Sequence, residues 1–486
     1  MGIDVARPLQ LRQRAGGPIP LDKPVKPRQK VSMNALSGMG LWALLWSGYN
    51  TGPWYVSNPS FPSNTMEFIH GVRAFFPMVA GWIALLMIMA RPKRLLSWIA
   101  GPLGLMLLYA VTGLASSATL SPDPAYALYY GASYLAIVLV LLAIVQVKDP
   151  LPDLRNVLTL TWTVGIILTL SLLGAVPLLG GGVIVPTDGS PLGVRAYGGV
   201  GRVMGMDSTR NTGFARYAAM SALVALPGLM RKGRFRFRII WGILFLASMY
   251  ALIIANGRTE IAAFIVSMAV ILGAERAKRT INFLIGTAVA VLLGLRGFYS
   301  AFFRYFTRSG RIDTGVITMS GRTQTWENGW RLLWKSPWVG FGFQADRLFV
   351  GQHMHNAFLH VLVQSGFLGG GAMLIALAIV WYYMIKYFFL RRPSDKSLIP
   401  PEIPALFLFV TISSLAESTF AYFSAAWLLS APIVAYVMAL HRHMYGISVK
   451  SAQERNLRMR LAGRKSRGLE PPPEALSPTI GEVPSD

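Results

Sequence analysis

Cysteine is absent from this chain of 486 residues, and charged residues are scarce at 14% of the total. The lack of cysteine excludes disulfides, thiolate metal sites, iron–sulfur clusters and cysteine nucleophiles. An average soluble domain has roughly a quarter of its residues charged, so the low charge together with 53% hydrophobic residues excludes an ordinary soluble globule. An aromatic content of 12% also excludes a chain that is too polar to pack a core.

Long apolar segments are the main feature of the sequence. A helix that crosses a hydrocarbon core of about 30 Å needs roughly 17–25 apolar residues. About twelve segments meet this requirement, and we therefore predict an all-α polytopic integral membrane protein with about twelve transmembrane helices. The predicted spans are residues 35–54, 68–89, 95–115, 125–147, 157–179, 214–230, 239–255, 259–272, 281–295, 357–389, 403–419 and 425–440.

The positive charge follows the alternation of these spans. The net charge is +25, and 32 of the 46 lysines and arginines fall in the two terminal segments and in every second connection. Because translocating short cationic loops across a membrane is disfavoured, this pattern predicts that both termini are cytoplasmic. The charge is then a consequence of topology, and we expect no nucleic-acid partner.

The chain divides into five predicted regions. Residues 1–33 form a basic, proline-containing segment, and residues 441–486 form a second polar tail; we predict that both are disordered and cytoplasmic. Residues 34–255 contain the N-terminal transmembrane helices with an arginine-bearing periplasmic loop at 180–213. Residues 256–371 include a long periplasmic loop at 296–356, and residues 372–440 contain the C-terminal transmembrane helices.

Several arginines lie on the side where the topology disfavours them. Arg202 and Arg210 belong to the loop 180–213, Arg258 precedes an apolar segment, and Arg322 starts a helical pattern. A guanidinium group matches the oxygens of a phosphate in bidentate fashion, and free amides at a helix N-terminus add to such a site. The set predicts a site for an anionic substrate. The alternative is that these arginines pair with nearby carboxylates or with lipid head groups.

Tryptophans recur at helical spacing after Arg322. The pattern of Trp326, Trp330, Leu333 and Trp334 predicts an amphipathic helix in the outer membrane interface, where indole rings prefer to lie. Pro337 ends it, and the turn through Gly340 and Gly342 leads on to His355 and Asn356. The alternative is an interfacial anchor that takes no part in chemistry.

Three histidines, His353, His355 and His360, lie where the long loop returns to the membrane. An imidazole takes a proton from a sugar hydroxyl near neutral pH, which makes His355 a candidate base. The His-x-His pair is also a possible metal ligand set, but no third ligand stands at a useful spacing in the sequence. Glu417 is predicted near the outer end of a span, either as the counter-ion of an arginine or as a second candidate base.

These residues together resemble a known family signature. The stretch that includes Arg322, Trp326, Gly340, Gly342, His355 and Asn356 and runs on to Gly366 and Gly369 is similar to the signature region of the O-antigen ligase and polymerase superfamily. The turn at residues 256–259 resembles the one that precedes this signature in the family. The similarity is close over residues 256–371 and only loose around Arg202 and Arg210.

The resemblance implies a metal-independent, inverting glycosyltransferase of the bacterial inner membrane that has no cofactor. Such enzymes take a glycan from an undecaprenyl-diphosphate donor at the periplasmic face. It implies that Arg258 and Arg322, with Arg202 and Arg210, hold the donor diphosphate, and that His355 lies at the reacting centre. Asn356, Trp326, Gly340 and Gly342 would support this site, and the expected partners are membrane lipids, the donor and its acceptor.

Two alternatives remain open at this level. The acceptor is either a lipid A core, as for a ligase, or a second lipid-linked glycan, as for an O-antigen or exopolysaccharide repeat-unit polymerase. A more distant alternative is a twelve-helix secondary transporter, which would have repeated halves and a substrate site at mid-membrane. No convincing repeat is visible, and ionisable residues such as Arg73 are rare at mid-span.

Overall fold

The computed structural model describes most of the predicted spans and the second half of the long loop. The residues described are 33–49, 65–147, 149–178, 184–186, 194–196, 211–231, 235–255, 257–274, 322–390 and 399–466. The predicted disordered segment 1–33 (apart from its last residue), the predicted span 281–295, and the sites of Arg202 and Arg210 lie outside these residues.

Helices account for nearly all the regular structure. In chain order they are α1 Met33–Ser47, α2 Thr65–Arg73, α3 Phe76–Met89, α4 Pro92–Ile99, α5 Pro102–Thr119, α6 Pro124–Val145, α7 Pro150–Leu178, α8 Asn211–Met230, α9 Phe235–Ile254, α10 Arg258–Ala274, α11 Arg322–Lys335, α12 Ala357–Met384, α13 Glu402–Ser413 and α14 Ala425–Ser466. Short π-helical turns lie at Asp346–Val350 and at Ile385–Phe389.

The all-α prediction needs one small correction in the loop 180–213. Strand β1, Ile184–Pro186, pairs antiparallel with β2, Val194–Ala196, so that Val185 lies opposite Arg195. Three-residue strands of this kind leave the helical architecture unchanged.

Eight helices in the described residues are long and apolar enough to cross a membrane. They correspond to eight of the predicted spans, and two further predicted spans correspond to shorter apolar helices, Thr259–Gly273 and Glu402–Ser413. The first predicted span is a helix of 15 residues, Met33–Ser47. The molecule is therefore a polytopic helical protein, and the count of twelve stays a prediction.

The exposure of apolar side chains fits a bundle surrounded by lipid. Large apolar residues on α3 and α9 face outward, including Trp82 and Leu246, which are 66% and 67% exposed. In contrast, α6 and the first half of α14 are mostly buried at the centre, where Tyr134 and Trp427 are fully covered. Apolar exposure on this scale is unfavourable in water, so the outer surface requires a hydrocarbon environment.

The predicted span 95–115 is wrong in its boundaries. The chain breaks at Ala100 and Gly101, so that α4 is a short amphipathic helix and the spanning helix α5 begins only at Pro102. A proline at the first helical position disfavours the helical conformation of the residue before it, and Gly101 is accordingly extended.

The predicted span 403–419 and the predicted tail also need correction. Helix α13 ends at Ser413, where the Ser414 hydroxyl bonds back to the Val410 carbonyl, so Glu417 lies in the following turn. The tail is not irregular from residue 441 onward, because α14 continues to Ser466. Its sequence there is rich in alanine, leucine, lysine and arginine, which favour helix, and the prolines come only later.

Two of the basic connections lie at the same end of the bundle. The Arg442 guanidinium stacks 3.8 Å from the centre of the Trp98 ring and donates to the Ser97 hydroxyl, and this joins α14 to α4 beside the connection at Arg91. This end of the bundle lies opposite to the end that contains Glu417, in agreement with the predicted alternation of basic connections. Which side of a membrane each end faces remains a prediction.

Helix α12 is broken at Gly366, where the backbone is not helical (φ 60°, ψ −167°). The loop after α11 enters this break and replaces the missing helical bonds. Phe341 and Gly342 donate to the carbonyls of Val363 and Gln364, and Phe367 and Leu368 donate to those of Pro337 and Trp338. The loop is thereby fixed against the helix that carries the residues following His355.

Candidate functional site

Glu417 is the centre of a cluster of ionisable side chains at one end of the bundle. Its Oε1 atom accepts a hydrogen bond from Arg322 at 3.2 Å, and its Oε2 atom lies 3.5 Å from the Arg216 guanidinium and 3.3 Å from Nδ1 of His355. The Glu417 side chain is only 7% exposed. The chain brings these four residues together from α8, α11 and the turns beside α12 and α13.

His355 occupies a turn of unusual backbone conformation. Its φ of 51° lies in the left-handed region, which residues other than glycine seldom adopt. The turn is held from several sides, because the Trp326 indole donates to the Met354 carbonyl at 2.9 Å and Ala357 donates to the Ser414 carbonyl. Strain of this kind persists only where the surroundings enforce it, and it concentrates at functional sites.

Asn356 and the two glycines predicted as supporting residues have structural positions around this turn. Asn356 caps α12, accepting from the Leu359 amide at 3.0 Å. Gly340 and Gly342 have φ of 67° and 92°, and a Cβ atom on either would overlap the backbone of a neighbouring helix. Trp326, Asn356 and the glycines thus fix the loop and the turn beside His355.

Arg216 is the residue of the cluster that we did not single out from the sequence. It is 8% exposed and lies between two carboxylates, Glu417 and Glu260, the latter 3.6 Å away. In the sequence, Arg216 is one of the arginines that lie on the side of the membrane where the topology disfavours positive charge. Its partners, however, lie 44 and 201 residues away along the chain, and spacing does not reveal contacts of that kind.

Arg258 begins helix α10, as the sequence predicts. The preceding residue, Gly257, packs so closely on Ala215 that a Cβ atom at Gly257 would lie 2.5 Å from the Ala215 methyl group. Glu260, two residues after Arg258, contacts Arg216. The N-terminus of α10 therefore lies beside the cluster, while the loop positions of Arg202 and Arg210 are outside the described residues.

Arg322 begins helix α11, which confirms the predicted helix start. Its side chain is 25% exposed, whereas Arg331 on the same helix is 71% exposed and, among the described residues, pairs only with Glu327 one turn away. On this helix Leu333 is buried but Trp330 and Trp334 are about half exposed. The helix thus presents indole rings to the surroundings and Arg322 to the cluster.

The charges of the cluster determine the protonation of Glu417. Burial opposes ionisation, but the hydrogen bond with His355 and the positive charges of Arg216 and Arg322 outweigh it and lower the pKa of Glu417 to about 2. Glu417 is therefore ionised at neutral pH and accepts hydrogen bonds only. The Nδ1–H of His355 consequently donates to Glu417, and no described residue bonds its Nε2 atom.

A second cluster lies directly behind His355. Asp346, fully buried, accepts from the Met354 amide at 2.9 Å and from Nδ1 of His353 at 3.1 Å, and it lies 3.1 Å from Nε2 of His360. The His353 ring contacts the His355 ring edge-to-face at 4.8 Å. Burial lowers the pKa of His353 to about 4, so this imidazole is neutral at pH 7.

A shallow, largely open apolar cavity of about 500 Å³ lies beside the first cluster. It lies between α11 and α12, and the residues lining it are Trp326, Glu327, Trp330, Asn356, Phe358, Leu359 and Leu362. Two of its walls, Trp326 and Asn356, are the residues that fix the turn of His355. The cavity therefore offers apolar surface directly next to the ionisable cluster.

One region of the chain matches a known protein family. Residues 243–374 match the family model described as O-antigen ligase. No curated protein matches the chain. The match confirms the resemblance read from the signature residues, because this region is similar to O-antigen ligases. The matched region contains His355, Arg258 and Arg322 but neither Glu417 nor Arg216.

Proposed function

We propose that this protein is a membrane glycosyltransferase that moves a glycan from an undecaprenyl-diphosphate donor to an acceptor hydroxyl at the periplasmic face of the bacterial inner membrane. The observation that carries the proposal is the contact of one buried carboxylate, Glu417, with a histidine and two arginines. A proton acceptor and phosphate-binding cations are the groups that this reaction requires at one place.

We assign the role of base to His355 and the role of positioning residue to Glu417. A carboxylate with a pKa of about 2 that contacts two arginines is too weakly basic to take a proton from a sugar hydroxyl at neutral pH. It is well suited to hold Nδ1–H of His355, which leaves Nε2 as the basic atom. A carboxylate has the same relation to a histidine base in hydrolytic triads.

Arg322 and Arg258 supply the cationic site for the donor diphosphate in this proposal. The four charges of Arg216, Arg322, Glu260 and Glu417 balance one another, so the cluster alone has no excess positive charge. The outward part of the Arg322 guanidinium and the N-terminus of α10 at Arg258 add the attraction that a dianion needs. Arg202 and Arg210, from the loop 180–213, are the further cations that we propose for this site.

The reaction is a single displacement at the anomeric carbon. The acceptor oxygen forms the new bond to this carbon as its proton passes to Nε2 of His355, and the bond between the carbon and the diphosphate oxygen breaks. The products are the glycosylated acceptor, with inverted anomeric configuration, and undecaprenyl diphosphate. Guanidinium groups stabilise the negative charge that develops on the leaving group, so the chemistry needs no metal ion or other cofactor.

The apolar cavity between α11 and α12 is our candidate for the lipid portion nearest to the reacting groups. Its lining is dominated by Trp326, Trp330, Phe358 and two leucines, and Asn356 at its edge follows His355 directly. A prenyl chain in this cavity would hold its diphosphate close to Arg322. Apolar contacts of this kind bind the donor without specifying its sugar.

For the acceptor we propose a lipid A core, as in an O-antigen ligase, with a lipid-linked repeat unit as the alternative. Reconstitution of the purified protein with an undecaprenyl-diphosphate oligosaccharide and each acceptor, with products identified by mass, tests both. Glycan on the lipid A core supports the ligase, and a lengthened lipid-linked glycan supports the polymerase. Solute transport without any glycan product would instead support a transporter.

Arg322→Lys is expected to reduce transfer on the order of 10- to 100-fold. Lysine keeps the positive charge but lacks the planar guanidinium group that binds Glu417 and a phosphate oxygen at the same time. Complete removal of such a donor lowers the rate roughly 10²–10³-fold, and a substitution that keeps the charge should cost less. The measurement is initial rate against donor concentration. The matched control is Arg331→Lys on the same helix, whose pair with Glu327 is exposed and whose change should be nearly silent. Near-full activity of Arg322→Lys would contradict the assigned role.

The initial rate of transfer is expected to be independent of added Mg²⁺ or Mn²⁺. These ions neutralise diphosphate leaving groups in many enzymes, but here arginines have that role. The measurement is a titration of both ions into the purified protein without a prior chelator wash, so that any tightly bound structural ion stays in place. A rate that depends on either ion in a saturable manner would overturn the proposed mechanism at the leaving group.

A further inference from the structure

Four carboxylates of the described residues are buried, and three of them have an arginine within 4 Å. Glu260 and Glu417 contact Arg216, and Glu402 contacts Arg231. Asp346 is fully buried, but among the described residues its partners within this distance are only the imidazoles of His353 and His360. Buried carboxylates are normally paired with a cation or bound to a metal ion, and among these four Asp346 alone has imidazoles where the others have a guanidinium group.

The hydrogen bonds around Asp346 are also incomplete. Its Oδ2 atom accepts two bonds, but Oδ1 has no hydrogen-bond partner although Nε2 of His360 lies 3.1 Å away. The same nitrogen lies 2.5 Å from the amide of Gln364, and a neutral imidazole nitrogen has at most one hydrogen to donate. Oδ1 and Nε2 are thus adjacent without the geometry of donor and acceptor, and they can serve as two ligands of one ion once the Gln364 amide turns away from Nε2.

We propose that Asp346, His353 and His360 bind a first-row transition-metal ion of the zinc class. His353 and His360 each have an imidazole nitrogen 3.1 Å from a carboxylate oxygen of Asp346, close to the spacing of two ligands that lie about 2 Å from one tetrahedral ion. Nitrogen ligands favour zinc and its neighbours over Mg²⁺ or Ca²⁺, which prefer oxygen alone. Asp346, the third ligand, lies only seven residues before His353, in the π-helical turn.

The ion has a structural role in this proposal, separate from the transfer reaction. Asp346 and His353 precede His355 in the chain, and Asp346 already holds the Met354 amide at 2.9 Å. An ion at this place would fix the strained turn of His355 from behind. The second group of possible ligands, His353, His355 and Glu417, is a poorer site because two arginines already neutralise Glu417.

The test is the metal content of the purified full-length protein after incubation with Zn²⁺ and removal of unbound ion. We expect about one ion per chain, and a loss of about tenfold or more in Asp346→Asn and in His353→Gln. Replacement by Co²⁺ should give the visible absorption of tetrahedral cobalt with nitrogen ligands, a measurement on the unaltered protein that does not depend on any variant folding.

Two control variants separate this proposal from the proposed function. His443→Gln, on the exposed face of α14, should keep both the ion and the activity. His355→Ala should keep the ion while it loses transfer. A wild-type protein that retains no ion and gives no cobalt spectrum overturns the metal site, as does full metal content in both Asp346→Asn and His353→Gln.

Discussion

His355→Ala is expected to lower the rate of glycan transfer by about 10²–10⁴-fold, the usual contribution of a positioned general base. In the proposed mechanism Nε2 of His355 receives the acceptor proton, and no other imidazole of the described residues contacts Glu417. The loss should fall on kcat, because the arginines that we propose for donor binding are unchanged. The measurements are single-turnover transfer and, separately, donor binding, which should stay within a few-fold of wild type.

His443→Ala is the matched control, since this histidine is exposed near the opposite end of the bundle. It should leave the rate unchanged. Turnover by His355→Ala equal to that of wild type would remove His355 from the reaction and would return Glu417 to consideration as the base.

Glu417→Gln is expected to reduce transfer by roughly 10²–10³-fold and also to destabilise the fold. Glutamine keeps the shape of the side chain but loses the charge that binds Arg216 and Arg322 and holds His355 in one tautomer. Breaking a buried ion pair from one side costs about 3–5 kcal/mol, because the remaining charge lacks compensation. The measurements are kcat, KM for the donor and the thermal midpoint in detergent.

Glu402→Gln provides the comparison for stability alone. This carboxylate is also buried and bonds Arg231 at 3.0 Å, but Arg231 is 59% exposed to its surroundings. The variant should lower the thermal midpoint by less than Glu417→Gln and keep full activity. If both variants lose stability and activity in parallel, Glu417 has a structural role only.

The sequence predicted the local features of this molecule well. The apolar segments gave eight of the spanning helices, and the positions of Arg258 and Arg322 as helix starts are confirmed. These features depend on residues close together in the chain, such as an apolar run or a polar residue before it. The family signature depended on spacing within about 120 residues, and it too is confirmed.

The features that the sequence did not predict depend on contacts between distant segments. Nothing in the spacing connects Arg216 with Glu417, or shows that Asp346 faces both His353 and His360. The end of α13 at Ser413 was also missed, because Leu415 and Ala416 continue the apolar segment and the hydroxyl bond of Ser414 to the Val410 carbonyl is not visible in the sequence. Such bonds compete with helix in a way that hydropathy does not measure.

The break at Gly366 has a consequence for the biogenesis of the protein. Until the segment 337–342 docks, the amides and carbonyls on both sides of Gly366 have no partners, and each such group costs several kcal/mol in hydrocarbon. The two halves of the helix are therefore expected to be stable in lipid only after this segment has folded back onto them. Docking of this loop thus completes the backbone hydrogen bonds of α12 and the end of the bundle that contains His355 in one step.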